Sequence, residues 1–280
     1  MADRAGASRP VVCDVGNNGF CDGIFEYAPE CGGNMKYLKK IAAVMLMMAL
    51  CVSTVAGFST KSIAKTKKAK NDKKIVCIDA GHQAKANTAL EPIGPGASKK
   101  KYKVTGGTSG CVTHVPEYKL NLVIAKKLKK ELVKRGYKVV MVRTKNDVNI
   151  SNSERAKIAN DANADAFIRI HADSSENSSA TGAMTIAPNK KNPYMTKSNI
   201  KKSKKLARAV IKKFCKATGA KSRGVWYTNS MSGINWATVP VTIIEMGFMS
   251  NPTEDRKMQT KKYQKKMVKG IADGIDSFLK

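Results

Sequence analysis

The chain of 280 residues is strongly basic, with a formal net charge of +30 from 51 Lys+Arg against 21 Asp+Glu. Its hydrophobic content of 42% is enough for a packed core, and its length suits one good-sized domain with extra segments. Three cysteines (Cys77, Cys111 and Cys215) follow residue 56, and this odd set without a Cys-x-x-Cys pair excludes a disulfide framework and a zinc ribbon. After residue 56 there are 46 basic and 16 acidic residues, against five of each sign before it, and such a surface favours polyanions.

Residues 35–56 are predicted to form a secretory signal peptide. A short basic stretch from Met35 precedes an apolar run over 41–55, and small residues suited to a signal peptidase follow. The apolar run is short for a transmembrane span. We therefore expect the signal peptide to be cleaved and the remaining chain to have no stable membrane span. The alternative is that the segment stays uncleaved and anchors the protein in the membrane. Because a signal peptide should start the protein, residues 1–34 are interpreted as a non-native or disordered extension, which N-terminal sequencing of the native precursor would test. Residues 57–72 form a Lys-rich linker that is predicted to be disordered.

From residue 73 onward, apolar runs alternate with segments of helical periodicity. The run over 75–78 predicts a buried strand, and the Gly- and Pro-containing stretch over 83–115 predicts a long functional or mobile loop. Pro116 and the apolar residues at helical spacing after it predict a helix that ends before Gly136. The later predicted elements are strands over 137–142, 166–170, 182–187 and 239–244, and helices over 151–163, 203–218 and 254–279. This alternation predicts an α/β sandwich.

Two of the three histidines lie where predicted buried strands end. His82 and His171 each follow an apolar run, and a third such run ends in Glu245. In open α/β sheets ligands bind outside the carboxyl ends of the strands, so these groups are expected to converge. Two imidazoles and a carboxylate there indicate a metal site with a nearby acid/base. Catalytic zinc sites keep three protein ligands, and Glu117 at a helix start is the best candidate for the third, although no local spacing requires it.

Four separated phrases occur in a fixed order along the chain. They are IDAGH (78–82), PEYKLN (116–121), IRIHAD (168–173) and IEMGFMSN (244–251). With this set, and with an arginine at 143 and RAKIAN at 155–160, the chain from Lys74 onward resembles the zinc-dependent N-acetylmuramoyl-L-alanine amidases, the amidase_3 class of bacterial cell-wall hydrolases. The family commonly has Pro-Gly-His-Gly-Gly where this chain has AGHQA (80–84), and the segment before Glu117 is elaborated. These departures bear on the substrate more than on the metal site.

The resemblance implies a three-layer α/β sandwich whose central, mostly parallel, twisted sheet is flanked by helices, with residues 73–280 as the catalytic amidase domain. It implies that His82, Glu117 and His171 bind one zinc ion and that Glu245 is the catalytic carboxylate. The implied substrate is peptidoglycan, cleaved at the amide between N-acetylmuramic acid and the first L-alanine of the stem peptide. Together with the signal peptide, the resemblance predicts a secreted enzyme of the cell wall.

Two other functions are compatible with the residues. His114 lies three residues before Glu117, which is the His-x-x-Glu spacing of zinc carboxypeptidases, so His114, Glu117 and His171 would bind zinc in an enzyme that trims wall peptides. The second alternative is a non-catalytic wall protein that binds polyanions through basic segments at 201–216 and 261–269. In an amidase too, this basic surface is expected to bind anionic cell-wall polymers. Nucleic acid is not expected as a partner, because the signal peptide directs the chain outside and no aromatic stacking pattern accompanies the lysines.

Overall fold

The computed structural model describes residues 73–280. The predicted N-terminal extension (1–34), signal peptide (35–56) and linker (57–72) lie outside the described residues. The strands are β1 (Ile75–Ala80), β2 (Asn87–Pro92), β3 (Lys100–Val104), β4 (Lys138–Met141), β5 (Ala166–Asp173), β6 (Ala183–Pro188), β7 (Ser222–Thr228) and β8 (Val241–Phe248). The helices are α1 (Glu117–Lys134), α2 (Asn152–Asp161), α3 (Lys197–Thr218), α4 (Ser232–Asn235), α5 (Pro252–Gln259) and α6 (Lys261–Leu279). Within residues 73–280, no helix has the length and apolar character needed to cross a bilayer.

Six of the strands form one sheet in the order β4-β1-β5-β8-β6-β7. Every neighbouring pair in this sheet is parallel except β6 and β8, which are antiparallel. Strands β2 and β3 form a separate antiparallel pair. Parallel strands need long crossover connections, and the helices in those connections cover the sheet. The predicted α/β fold with a central, mostly parallel sheet flanked by helices is confirmed.

Alternate residues of the central strands pack on opposite faces of the sheet. Val76 and Ile78 of β1 join a core cluster with apolar side chains of α1, α3 and α6, whereas Cys77 joins a smaller cluster with residues of α2 and α4. On β5, Phe167 belongs to the cluster of Cys77 and Ile168 belongs to the larger cluster. Because strand side chains alternate with a period of two, the sheet buries both of its faces. The helices therefore form one layer on each side of the sheet, as the three-layer prediction requires.

The structure corrects several predicted boundaries. The stretch over 83–115 is not a single loop, since it contains the β2–β3 hairpin, whose side chains are largely exposed. Helix α3 begins at Lys197 rather than at residue 203, because the Thr196 side chain accepts a hydrogen bond from the backbone N–H of Asn199. The predicted helix over 254–279 is two helices, since Thr260 has an extended backbone that ends α5 and caps α6. The sequence pattern misses β7, which Gly224 interrupts at φ 77°, and the short helix α4.

Helix α1 packs on β1 and β5, and this packing determines where its first residue lies. Its apolar face is formed by buried leucine and isoleucine side chains at helical spacing, namely Leu120, Ile124, Leu128 and Leu132. Burial of each such side chain contributes roughly 1.5–3 kcal/mol, so the four together hold the helix firmly on the sheet. Pro116 precedes the helix. The N–H groups at a helix start have no partner within the helix, and proline has no N–H that would be left unpaired there. The helix thereby places Glu117 at the carboxyl end of the sheet.

Candidate metal centre and active-site cavity

The sheet face covered by α2 and α4 becomes polar toward the carboxyl ends of its central strands. Asp79 of β1, and Arg169 and His171 of β5, lie on this face by the two-residue alternation. Glu245 of β8 pairs in register with His171. Both strands continue beyond their predicted ends at 170 and 244, so His171 and Glu245 lie within strands rather than after them.

His82, Glu117 and His171 form one compact cluster of ligand-type atoms, all within 4.8 Å of one another. Nε2 of His82 lies 3.1 Å from Oε2 of Glu117 and 3.1 Å from Nδ1 of His171. Nδ1 of His171 lies 3.2 Å from Oε1 of Glu117. Among the residues that the structure describes, this is the one group of His, Cys, Asp or Glu side chains arranged to hold a metal ion. The structure thus brings together the three residues that the resemblance implied as ligands.

His82 is oriented by the chain that follows β3. It lies just after β1 in the left-handed region, at φ 59°. Its Nδ1 is 2.8 Å from the carbonyl oxygen of Thr105, which can only accept a hydrogen bond, so Nδ1 carries the proton and donates. This tautomer leaves the lone pair of Nε2 directed at the cluster, as a metal ligand requires.

His171 is a buried, neutral imidazole. Its ring packs so closely against Gly81 that a side chain at that position would overlap it. Burial lowers the pKa of His171 to about 4, so the ring carries no charge at neutral pH. Nε2 of His171 is buried without a hydrogen-bond partner among the described residues. A neutral ring with its proton on Nε2 presents the lone pair of Nδ1 to the cluster.

Glu117 is only 3% exposed, yet its surroundings favour the ionised form. Backbone N–H groups of Thr108 and Ala172 each donate to its carboxylate at 3.1 Å, and Nδ2 of Asn121 donates at 3.0 Å. Burial raises the pKa of this carboxyl, but its close contacts with His171 and His82 outweigh burial and hold the pKa well below its usual range. The carboxylate is therefore held in the charge state and orientation of a ligand.

Two buried arginines hold the turn that carries His82. Arg143 donates to the carbonyl oxygens of Ala80 and Gly81 at 2.7 and 3.1 Å. Arg155 donates to the carbonyl oxygens of Ala80 and His82, each at 3.1 Å. Burial and the positive charge of Arg155 lower the pKa of Arg143 to about 10, so the Arg143 side chain remains charged at neutral pH. They act on the metal cluster by positioning its backbone.

Asp79 lies fully buried between two arginines. Its Oδ1 accepts a hydrogen bond from Nη1 of Arg155 at 2.7 Å, and its Oδ2 accepts one from Nε of Arg169 at 2.9 Å. Burial raises the pKa of Asp79, but the charges of the two arginines outweigh burial and hold the pKa well below its usual range. This ion triad joins β1, β5 and α2 on the sheet face that also carries His171.

A cavity of ≈ 270 Å³ opens over the cluster. His82, His171 and Glu245 line it, and its outer wall includes Tyr102 of the β2–β3 hairpin and Ser232 of α4. Two elements missing from the sequence prediction therefore help to form the cavity that His82, His171 and Glu245 line.

Glu245 is a carboxyl suited to exchanging a proton. Burial raises the pKa of Glu245 well above its ordinary value, and the negative charges of Glu117 and Asp173 raise it further. A raised pKa moves the exchange of a proton by this carboxyl toward higher pH than is usual for a glutamate. The cavity thus brings two members of the ligand cluster together with a carboxyl of raised pKa, an arrangement suited to metal-assisted hydrolysis.

His114 lies outside the cluster. It is exposed, at φ 53°, in a turn whose N–H groups at Val112 and Thr113 donate to the buried carboxylate of Asp255. The carboxypeptidase interpretation requires His114 beside the carboxylate of Glu117. Within residues 73–280, the structure places His82 there instead.

Arg169 and Asn152 also line the cavity, and the sequence interpretation gave neither a role. A signal for Arg169 exists in the sequence, because it lies two residues before His171 on a strand and so shares its face. No sequence pattern indicates a role for Asn152. It lines the cavity because of where α2 packs, and the sequence does not reveal that packing.

The Amidase_3 family model, described as N-acetylmuramoyl-L-alanine amidase, matches residues 76–277. This match covers more than half of the chain, and the chain belongs to that family. A curated relative is the N-acetylmuramoyl-L-alanine amidase LytC of Bacillus subtilis (strain 168), 32% identical over 162 residues. The alignment covers 58% of this chain and 31% of LytC, so the chain spans less than a third of that relative's length.

Solved structures of similar proteins share the fold. The catalytic domain of CwlV, an N-acetylmuramoyl-L-alanine amidase from Bacillus (Paenibacillus) polymyxa var. colistinus, has a TM-score of 0.60 at 28% identity, covering 74% of this chain and 98% of that one. The N-acetylmuramoyl-L-alanine amidase from Clostridium difficile 630 has a TM-score of 0.60 at 30% identity, covering 74% of this chain and 97% of that one.

Proposed function

We propose that the chain is a zinc-dependent N-acetylmuramoyl-L-alanine amidase. Its substrate is peptidoglycan, and the bond hydrolysed is the amide between the lactyl group of N-acetylmuramic acid and the first L-alanine of the stem peptide. The observation that carries the proposal is the cluster of His82, Glu117 and His171, since His82 and His171 line the same cavity as Glu245. Membership of the family supports the substrate class. The carboxypeptidase alternative has less support, because His114 lies outside the cluster.

The cluster suits a zinc ion in both donor type and charge. Two imidazole nitrogens and one carboxylate form a donor set found in catalytic zinc sites, with a fourth position left for water or substrate. Zinc binds neutral imidazole and ionised carboxylate, and the pKa shifts of His171 and Glu117 favour those forms. The two imidazole nitrogens also face each other at 3.1 Å, a juxtaposition that a shared cation explains.

The catalytic steps assigned to this chain centre on Glu245. A zinc ion held by His82, Glu117 and His171 would polarise the scissile carbonyl and lower the pKa of water toward about 7. Glu245 accepts the proton of the attacking water and then delivers it to the departing L-alanine amine. Its raised pKa allows the carboxyl to hold that proton between the two transfers. Thr105 keeps His82 in the required tautomer throughout.

Digestion of purified peptidoglycan tests the proposed activity. The protein is expected to release free stem peptides with a new L-alanine amine, detected by mass spectrometry. A chelator should abolish the release and added zinc should restore it, because the ligand set has no substitute among the described residues. Shortened stems still attached to sugar would support the carboxypeptidase instead. No cleavage under any condition would support a non-catalytic wall-binding protein.

We further propose that the basic surface binds anionic cell-wall polymers. A groove of ≈ 560 Å³ along α3 is lined by Ile200 and five cationic side chains, namely Lys190, Lys197, Lys201, Lys204 and Arg208. The four cations on α3 lie at helical spacings of four, three and four residues and so form one stripe. A stripe of this kind is complementary to a polymer with regularly spaced negative charges. Export through the predicted signal peptide (35–56) stays a prediction, as does the location at the wall.

Binding to isolated cell walls is expected to weaken several-fold when salt rises from about 0.05 M to about 0.5 M, because exposed charges are screened over shorter distances. Activity on soluble wall fragments should change little over the same range. Cosedimentation with walls, before and after extraction of anionic polymers, measures the effect. The double substitution Lys201→Gln and Lys204→Gln should weaken binding to cell walls at low salt, as high salt does for the unchanged protein. Retention that neither salt nor extraction alters would reject the groove as a polymer site.

A further inference from the structure

Arg169 is a guanidinium held rigidly inside the cavity. It is 4% exposed, its Nε donates to Oδ2 of Asp79 at 2.9 Å, and its Nη2 donates to Oδ1 of Asn152 at 2.7 Å. On a third side it lies against Gly233, where any side chain would overlap Nη1. A guanidinium fixed in this way loses little conformational entropy when it binds a ligand.

The bonds that hold Arg169 leave part of its donor capacity unused. A guanidinium has five N–H groups, and the two bonds within the described residues use two of them. Arg169 lines the cavity together with His82, His171 and Glu245. Free N–H groups of a charged donor are therefore available inside the space where a substrate would bind.

The positive charge of Arg169 is only partly balanced by its neighbours, because the nearby Glu245 is a carboxyl whose charged form burial opposes. Asp79 is one carboxylate shared by Arg169 and the fully buried Arg155, so the triad carries one excess positive charge. Lys101 of the hairpin adds a further cation to the cavity wall. A buried charge without a matching partner is costly, and a ligand with negative charge would offset that cost.

The position of Arg169 along β5 limits what it can contact. It precedes His171 by two residues, which is about 7 Å along a strand. Its Nε donates to Asp79, the residue opposite it in the register of β1 and β5, so the guanidinium is held level with its own strand position rather than extended toward His171. A substrate whose scissile carbonyl lies at the metal cluster would therefore present a different group to Arg169. Because an extended peptide advances about 3.3–3.6 Å per residue, a group one or two residues from the scissile bond matches the separation.

We propose that Arg169, assisted by Lys101, binds a carboxylate of the stem peptide on the residue that follows the scissile L-alanine. Stem peptides carry such a carboxylate at this residue, either free or converted to a carboxamide. Arginine favours a carboxylate because its planar donors match two oxygens at once. The free form is thus the preferred substrate. This inference rests on the proposed amidase function for the identity of the scissile bond.

A matched pair of muramyl peptides tests the subsite, one with the free carboxylate and one with the carboxamide. We expect kcat/KM to be about 10- to 100-fold higher for the carboxylate, as loss of a charge-assisted hydrogen bond implies, with most of the difference in KM. Calorimetric binding of both peptides to the Glu245→Gln protein, in which cleavage is suppressed, should show the same preference in Kd. Arg169→Gln and Lys101→Gln should each reduce the preference, whereas Arg256→Gln, at an exposed arginine outside the cavity and the α3 groove, should not.

The outcomes separate this inference from the proposed function. Equal kcat/KM and equal Kd for the two peptides would overturn the subsite while leaving the amidase proposal intact. Preferential binding of the carboxylate without any cleavage would retain the subsite and overturn the amidase. If Arg169→Gln does not fold, the comparison of the two peptides on the wild-type protein and on Lys101→Gln still decides.

Discussion

Replacement of His82 by asparagine is expected to remove zinc binding and hydrolysis together. Nε2 of His82 is one of three ligand-type atoms in the cluster. Loss of an outer-shell partner already costs about 10- to 100-fold in metal affinity, so loss of a ligand should cost more than that. Activity at submicromolar free zinc should fall by at least the same factor. Asparagine is preferred to alanine because residue 82 has φ 59°, a conformation that asparagine tolerates.

The measurement is zinc content after dialysis, together with the release of stem peptides. His114→Ala is the matched control, since His114 is exposed and lies outside the cluster, and it should retain both properties. Thermal unfolding of the zinc-free proteins checks that each variant keeps the fold. Loss of zinc from His114→Ala with retention in His82→Asn would reject the ligand set and favour the carboxypeptidase.

The central strands could be predicted because their side chains are buried on both faces. β1 is a nearly continuous apolar run, which a sheet covered on both sides accommodates. The β2–β3 hairpin lacks this signal, because its strands NTALEP and KKYKV are polar and largely exposed. Thr260 shows a similar limit, since a threonine inside an apolar-periodic segment does not reveal from sequence that its backbone is extended.

The site could be predicted only where strand ends determine it. His82 and His171 follow from that rule, although β5 continues past His171. Glu117 depends on the packing of α1 and on the N–H of Ala172, and neither is visible in residue spacing. The spacing to His171 indicates the sheet face of Arg169, but its ion pair with Asp79 depends on a register that becomes known only when β1 and β5 are paired.

Replacement of Glu245 by glutamine is expected to lower kcat by about 10²–10⁴-fold, the usual contribution of a general acid–base group, while zinc binding is retained. Glutamine has nearly the same size and cannot carry the proton from water to the departing amine. Glu245 is outside the ligand cluster, so its removal leaves the three ligand atoms in place. Burial opposes the charged form of Glu245, so a neutral amide at this position should not destabilise the fold.

Steady-state kinetics on soluble muramyl peptides and zinc content measure this effect, with the exposed Glu176→Gln as the matched control. KM should change less than kcat, because the carboxyl acts on the reacting atoms rather than on the remainder of the peptide. Full activity in Glu245→Gln would assign the proton transfer to another group, and Asp173 is a candidate because its charge contributes to the raised pKa of Glu245. Loss of zinc together with activity would instead make Glu245 part of the metal centre. Glu245→Gln should thus lose activity but keep zinc, whereas His82→Asn should lose both. This difference separates the proton carrier from a metal ligand.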